Sequence, residues 1–245
     1  MGLYSFTLPN TPPQNVGKNI TIGDVLGLKA LRLLKERSFL IFVLCSWLVS
    51  IPLAFYYNFT NPFLNDLGMQ GVASKQSIGQ MSEVIFMILM PFVFARLGVK
   101  KMLLAGMLAW VTRYALFAFG ENPAVTMAGL TADQLIGALS SVGMLYLGIL
   151  LHGICYDFFF VTGQIYVDQK VSKDIRASAQ GFIALITYGV GLGLGSFLSG
   201  RIIDAFTANG VKDWETIWLI PCAFAAAISL LFALAYKDNS ADQKT

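Results

Sequence analysis

Charge is what this 245-residue chain lacks most: only 13% of its residues are Asp, Glu, Lys or Arg, against about 25% in a soluble globular domain. Hydrophobic residues make up 56% of it, and the mean hydropathy is +0.65. That deficit excludes a disordered chain, a nucleic-acid-binding module and an ordinary cytosolic enzyme. A net charge of +3 is too small to attract a polyanion, so no nucleic-acid partner is expected. Cys45, Cys155 and Cys222 lie far apart in apolar stretches, with no zinc spacing, no C-x-x-C pair and no disulfide framework. His152 is the single histidine. P-loop, H-E-x-x-H and G-x-S-x-G motifs are missing too, so no catalytic set, metal or cofactor is expected. Met1 to Pro13 shows no basic segment followed by an apolar core, so a signal peptide is not expected there.

What the chain has instead is long apolar runs. Windows of about 20 residues mark six expected transmembrane helices, at roughly 38–64, 74–94, 102–119, 143–167, 178–199 and 216–236. This predicts an all-α integral membrane fold in three parts. Residues 1–37 form a cytoplasmic segment, 38–236 the six-helix bundle and 237–245 a tail. Ala124 to Val142, interrupted by Asp133 and Gln134, reads as a short helix in an outer loop. Ile22 to Leu34 has apolar residues at helical spacing beside Lys29, Arg32 and Lys35, as expected of an amphipathic helix on the bilayer surface or of a solvated linker helix. Thirteen Lys and Arg residues fall in the segments on one side of the spans, against Lys75, Arg201 and Lys212 on the other. The positive-inside rule therefore predicts that both termini are cytoplasmic.

Ionisable groups at membrane depth cost several kcal/mol unless they face a cavity or a partner. Gln80 and Glu83 are three residues apart and share a helix face. A carboxylic acid there is suited to carrying a proton or to holding a substrate hydroxyl. His152 and Tyr156 share a face of another span, with Asp157 about 100° around it. Arg113 is either the partner of Asp157 or, the favoured expectation, a snorkelling side chain that reaches the interface. Aromatic residues cluster around Tyr56 and Tyr57 and again from Tyr156 to Tyr166; one or two of them could stack on a planar ring. Asn58, Asn61 and Gln164 suit cavity walls, and Pro52 and Pro62 suggest kinks. Gly189/Gly193 and Gly191/Gly195 are overlapping G-x-x-x-G spacings, expected to serve close helix packing rather than nucleotide binding.

Four segments together resemble one family. They are YSFTLPNTPP, YYNFTNPFLNDLG, the run from IGQMSEVIF through VTRYALFAFG, and HGICYDFFFVTGQIYVD. They are similar to the C-terminal half, helices seven to twelve, of the nucleoside:proton symporters of the major facilitator superfamily. Q-x-S-E (Gln80 to Glu83) and Y-D-F-F (Tyr156 to Phe159) are the most specific parts. The resemblance implies a non-enzymatic secondary transporter of the inner or plasma membrane, taking up nucleosides with protons. It implies nucleoside contacts at Gln80, Glu83, His152, Tyr156 and, more weakly, Tyr57. Asp157 and Glu83 are the candidates for proton coupling. The expected partners are the bilayer and either a missing N-terminal six-helix half or a second copy of this chain. A carrier of another polar solute such as a sugar, a homodimeric half-transporter and, least favoured, a membrane enzyme or receptor are the alternatives.

Overall fold

The computed structural model describes residues 6–9, 21, 23, 28–120, 132–173 and 175–237, with the backbone alone for 28–30 and 132–140. Among these residues the molecule is helical apart from one two-stranded hairpin. Five helices are long and apolar enough to cross a membrane. They are α1 (Arg37–Asp66), α2 (Val72–Phe119), α3 (Ser141–Lys170), α4 (Arg176–Ala205) and α5 (Trp214–Ala235).

The ends of these helices follow from local chemistry. Past α1, Gly68 takes φ 77°, and its N–H donates to the Asn65 carbonyl at 2.8 Å. The Met69 N–H donates to the Leu64 carbonyl at 3.0 Å. These two bonds form a Schellman stop, which needs a left-handed residue that glycine supplies without strain. A straight α2 of 48 residues would run about 72 Å, far beyond about 30 Å of hydrocarbon. It breaks at Gly98, where φ is 68° and ψ 177°. At the start of α5, the Asp213 carboxylate accepts the Thr216 N–H at 3.1 Å as an N-cap. At its end, Lys100 donates to the Ala233 and Tyr236 carbonyls at 3.2 and 2.8 Å, satisfying acceptors that a helix C-terminus leaves free. Between α4 and α5, β1 (Thr207–Ala208) pairs antiparallel with β2 (Val211–Lys212). Asn209 and Gly210, both at positive φ, make the two-residue turn. Asp66 at the end of α1 accepts from Lys212 Nζ at 2.7 Å and Trp214 Nε1 at 3.2 Å.

The core is aromatic. Tyr114 stacks between Trp110 and Trp218, with Phe63 and Phe117 packed on Trp218. The Tyr114 hydroxyl donates to the Pro52 carbonyl. α1 runs helically through both Pro52 and Pro62.

Three expectations change. The segment holding Asp133 and Gln134 is no separate loop helix: residues from Ala132 form the start of one helix that runs to Leu150 and enters the span. Of the earlier part of that patch, residues 124–131 lie outside the described residues. Of the helix expected from Ile22 to Leu34, the part from Leu28 is a short 3₁₀ helix, Leu28–Lys35, with Leu33 and Leu34 against the core, while residues 22 and 24–27 lie outside the described residues. Finally, only one of the two G-x-x-x-G spacings packs on a neighbour. A Cβ on Gly191 would meet Ser50 Cβ at 2.6 Å, and one on Gly195 would meet Ala54 Cβ at 2.7 Å, so α4 lies directly on α1 there. Gly193 faces open space, and Gly189 meets only Leu185 of its own helix.

Candidate functional site

The Gln80–Glu83 face of α2 meets α3 because both helices offer small residues at the crossing. A Cβ on Gly153 would come within 2.7 Å of the Ser82 backbone, and one on Gly79 within 2.9 Å of the Ile149 carbonyl. Ser82 Oγ joins the two helices: it donates to the Gly79 carbonyl at 2.6 Å and accepts the Gly153 N–H at 3.1 Å. This contact puts the Glu83 carboxylate 3.6 Å from His152 Nε2.

Tyr56, Tyr57, Gln76, Gln80 and His152 line an open cavity of about 210 Å³, smaller than a closed small-ligand pocket, about 300–1,000 Å³. The His152 ring stacks on Tyr56 at 5.4 Å with 21° between planes. Gln76 also accepts from the Asn61 side-chain amide at 3.3 Å. Asn58 donates to Ser196 Oγ at 3.0 Å across to α4. The cavity thus offers ring faces, amides that donate and accept, and a carboxylate at its edge.

The structure gathers Gln80, Glu83, His152 and Tyr57 in one place. Tyr156 lies one turn further along α3, and its hydroxyl is 3.2 Å from that of Tyr188. Asp157 is fully buried and opens a π-helical turn, Asp157–Val161. Neither of its carboxylate oxygens has a hydrogen-bond partner among the described residues, and it does not line this cavity. Tyr56, one of the clustered aromatics, also lines the cavity, and Gln76 is the lining residue the sequence reading omits. Gln76 stands four residues before Gln80, on the same face, a signal that was present.

Arg113 does not snorkel. It is fully buried, its Nε donates to the Gly148 carbonyl at 2.9 Å, and its Cζ lies 4.2 Å from the centre of the Tyr56 ring and 5.0 Å from that of Trp110. Nor does it pair with Asp157: its two terminal nitrogens have no hydrogen-bond partner among the described residues. Ring faces replace water around the charge, and the packed second arm of α2 leaves the side chain no route outward.

Rings and amides lining a cavity between membrane-length helices, with a carboxylate beside it, define the class: a multi-pass helical membrane protein with a polar cavity among its helices. The chain belongs to the nucleoside H+ symporter family, whose model matches residues 1–241. It is 38% identical to YegT of Escherichia coli (strain K12) over 98% of this chain and 54% of that protein. With the xanthosine permease of the same organism it shares 33% identity over 100% of this chain and 57% of the relative. A solved structure of a variant of the nucleoside transporter NupG matches with a TM-score of 0.78 and 31% identity, covering 96% of this chain and 57% of that one. The chain therefore spans a little over half the length of the relatives it matches.

Proposed function

We propose that this chain forms the C-terminal, six-crossing half of a carrier that takes up nucleosides with protons. The break at Gly98 supports two crossings within α2, and the basic-residue bias supports cytoplasmic termini in the inner or plasma membrane. The observation that carries the reading is the cavity where Tyr56, Tyr57, Gln76, Gln80 and His152 converge beside Glu83. Ring faces suit a planar base, while amides and a carboxylate suit ribose hydroxyls. Gln80, Glu83, His152, Tyr156 and Tyr57 contact the nucleoside in this reading, and Glu83 and Asp157 handle the proton. The names of the relatives, a xanthosine permease and a nucleoside transporter, support the same substrate class.

Transport sites of this kind lie where two bundles meet near the midplane, so the second wall comes from an N-terminal half or a second copy. The test supplies that other half and measures uptake of labelled uridine and adenosine. Glu83→Gln and Gln80→Ala each lower uptake at unchanged membrane abundance. Wild-type uptake by both variants would remove them from the site.

A further inference from the structure

At about 210 Å³ the open cavity is smaller than a closed small-ligand pocket, so a nucleoside seated there also meets side chains beyond its lining. α1, α2 and α3 supply that lining and, beside it, Glu83. Among the described residues, none of α4 lines it.

The geometry of α4 nevertheless puts one polar side chain on the open side. Thr187, Gly191 and Gly195 are four residues apart and all buried, and the two glycines lie directly on Ser50 and Ala54 of α1. Tyr188 comes next after Thr187, about a quarter turn around the helix, and is 38% exposed. It sits within the π-helical turn Leu185–Gly191, and such turns recur at functional sites. Tyr57, which lines the cavity, is 49% exposed. Tyr57 and Glu83 both act electrostatically on the Tyr188 hydroxyl, and Tyr156 acts on that of Tyr57. Four helices thus bring one polar group each to the same place.

The hydroxyls of Tyr156 and Tyr188 are 3.2 Å apart, and either can donate to the other. A phenol carries one proton and also accepts, so a bond within the pair uses one proton and leaves the second. Among the described residues neither hydroxyl has another hydrogen-bond partner. The pair therefore offers one O–H to whatever fills the open side.

We infer that this hydroxyl pair donates to one of the two vicinal ribose hydroxyls, which makes Tyr188 a specificity-determining residue of the site. The nearby Glu83 carboxylate points to the sugar, because it accepts from the other vicinal hydroxyl. One ribose hydroxyl then meets a donor and its neighbour an acceptor. This rests on the nucleoside reading above.

Equilibrium dialysis tests it on the full chain, purified with its co-produced other half in lipid nanodiscs. Labelled uridine is the ligand, with 2′-deoxyuridine, 3′-deoxyuridine and 5′-deoxyuridine as competitors. Tyr188→Phe keeps the ring and removes only the hydroxyl. It should weaken uridine and 5′-deoxyuridine about fivefold, the worth of one hydrogen bond, and leave either 2′-deoxyuridine or 3′-deoxyuridine unweakened. A packing role would weaken all four by one factor, and that result overturns the inference. So does an unchanged affinity for uridine. If Tyr188→Phe binds none of the four, Tyr156→Phe breaks the same pair from α3 and decides by the same pattern. These outcomes leave the nucleoside reading standing; it fails, and this inference with it, if the unsubstituted protein neither binds nor takes up uridine and adenosine.

Discussion

The two arms of α2 have similar composition and opposite surroundings. Before Gly98, Met81, Ile88 and Phe92 are 66%, 67% and 70% exposed. After it, Met102, Leu103, Met107, Trp110, Tyr114 and Phe117 are buried. Each arm carries one ionisable group near its middle. Glu83, on the open arm, lies 3.6 Å from His152, which lines the cavity. Arg113, on the packed arm, is wrapped by two aromatic rings and a backbone carbonyl. An expensive charge in a span thus has two different explanations, and the burial of its helix decides between them.

The sharpest way to break this contrast is to swap the treatment of the two charges. Arg113→Ala should destabilise the purified protein by about 3 kcal/mol, combining a lost desolvated cation–π contact with an unpaired Gly148 carbonyl. Thermal unfolding in detergent measures it. Glu83→Gln, by contrast, should leave the unfolding temperature nearly unchanged while lowering uptake. An Arg113→Ala protein as stable as wild type would return Arg113 to the list of functional candidates.

That asymmetry also explains what was legible beforehand. The apolar runs, their approximate bounds and the polar face of Gln80 and Glu83 are all visible because period and hydropathy are local properties. The meeting of Glu83 with His152 is not, because it depends on Gly79 and Gly153 letting two distant helices approach to backbone contact. Arg113 misled for the same reason: nothing local distinguishes a residue near lipid from one enclosed by Tyr56 and Trp110. The glycine run was over-read, since spacing marks candidates for packing and only a neighbour such as Ser50 or Ala54 selects among them. The Asn209-Gly210 hairpin was not among the expectations, although the dipeptide itself favours such a turn.

The contact that builds the site gives the next test. Gly153→Ala places a methyl against the Ser82 and Glu83 backbone, so the helices must separate, at a cost of about 1–3 kcal/mol. Uptake should fall with stability, because His152 and Glu83 part together. Asp157→Asn should act differently: it should flatten the pH dependence of uptake while changing nucleoside binding at a fixed pH little. Unchanged pH dependence would make Asp157 a packing residue. The smallest effects separate the glycines of α4. Gly195→Ala should cost about 1–3 kcal/mol through its contact with α1, and Gly193→Ala should stay within about 0.5 kcal/mol of wild type. Equal losses at both would mean that α4 packs on its other face as well.

Lys100 sets a timetable for the chain's own synthesis. Its ammonium closes on the Ala233 and Tyr236 carbonyls, which come 133 and 136 residues later. A chain made from its N-terminus completes the packed arm of α2 long before α5 leaves the ribosome. Through that interval the Tyr114 and Phe117 rings lack the Trp218 face that will cover them, and Lys100 has no helix end to hold. The final helix is therefore a clasp as well as a crossing, and the newly made bundle stays open along that seam until the last residues of α5 arrive.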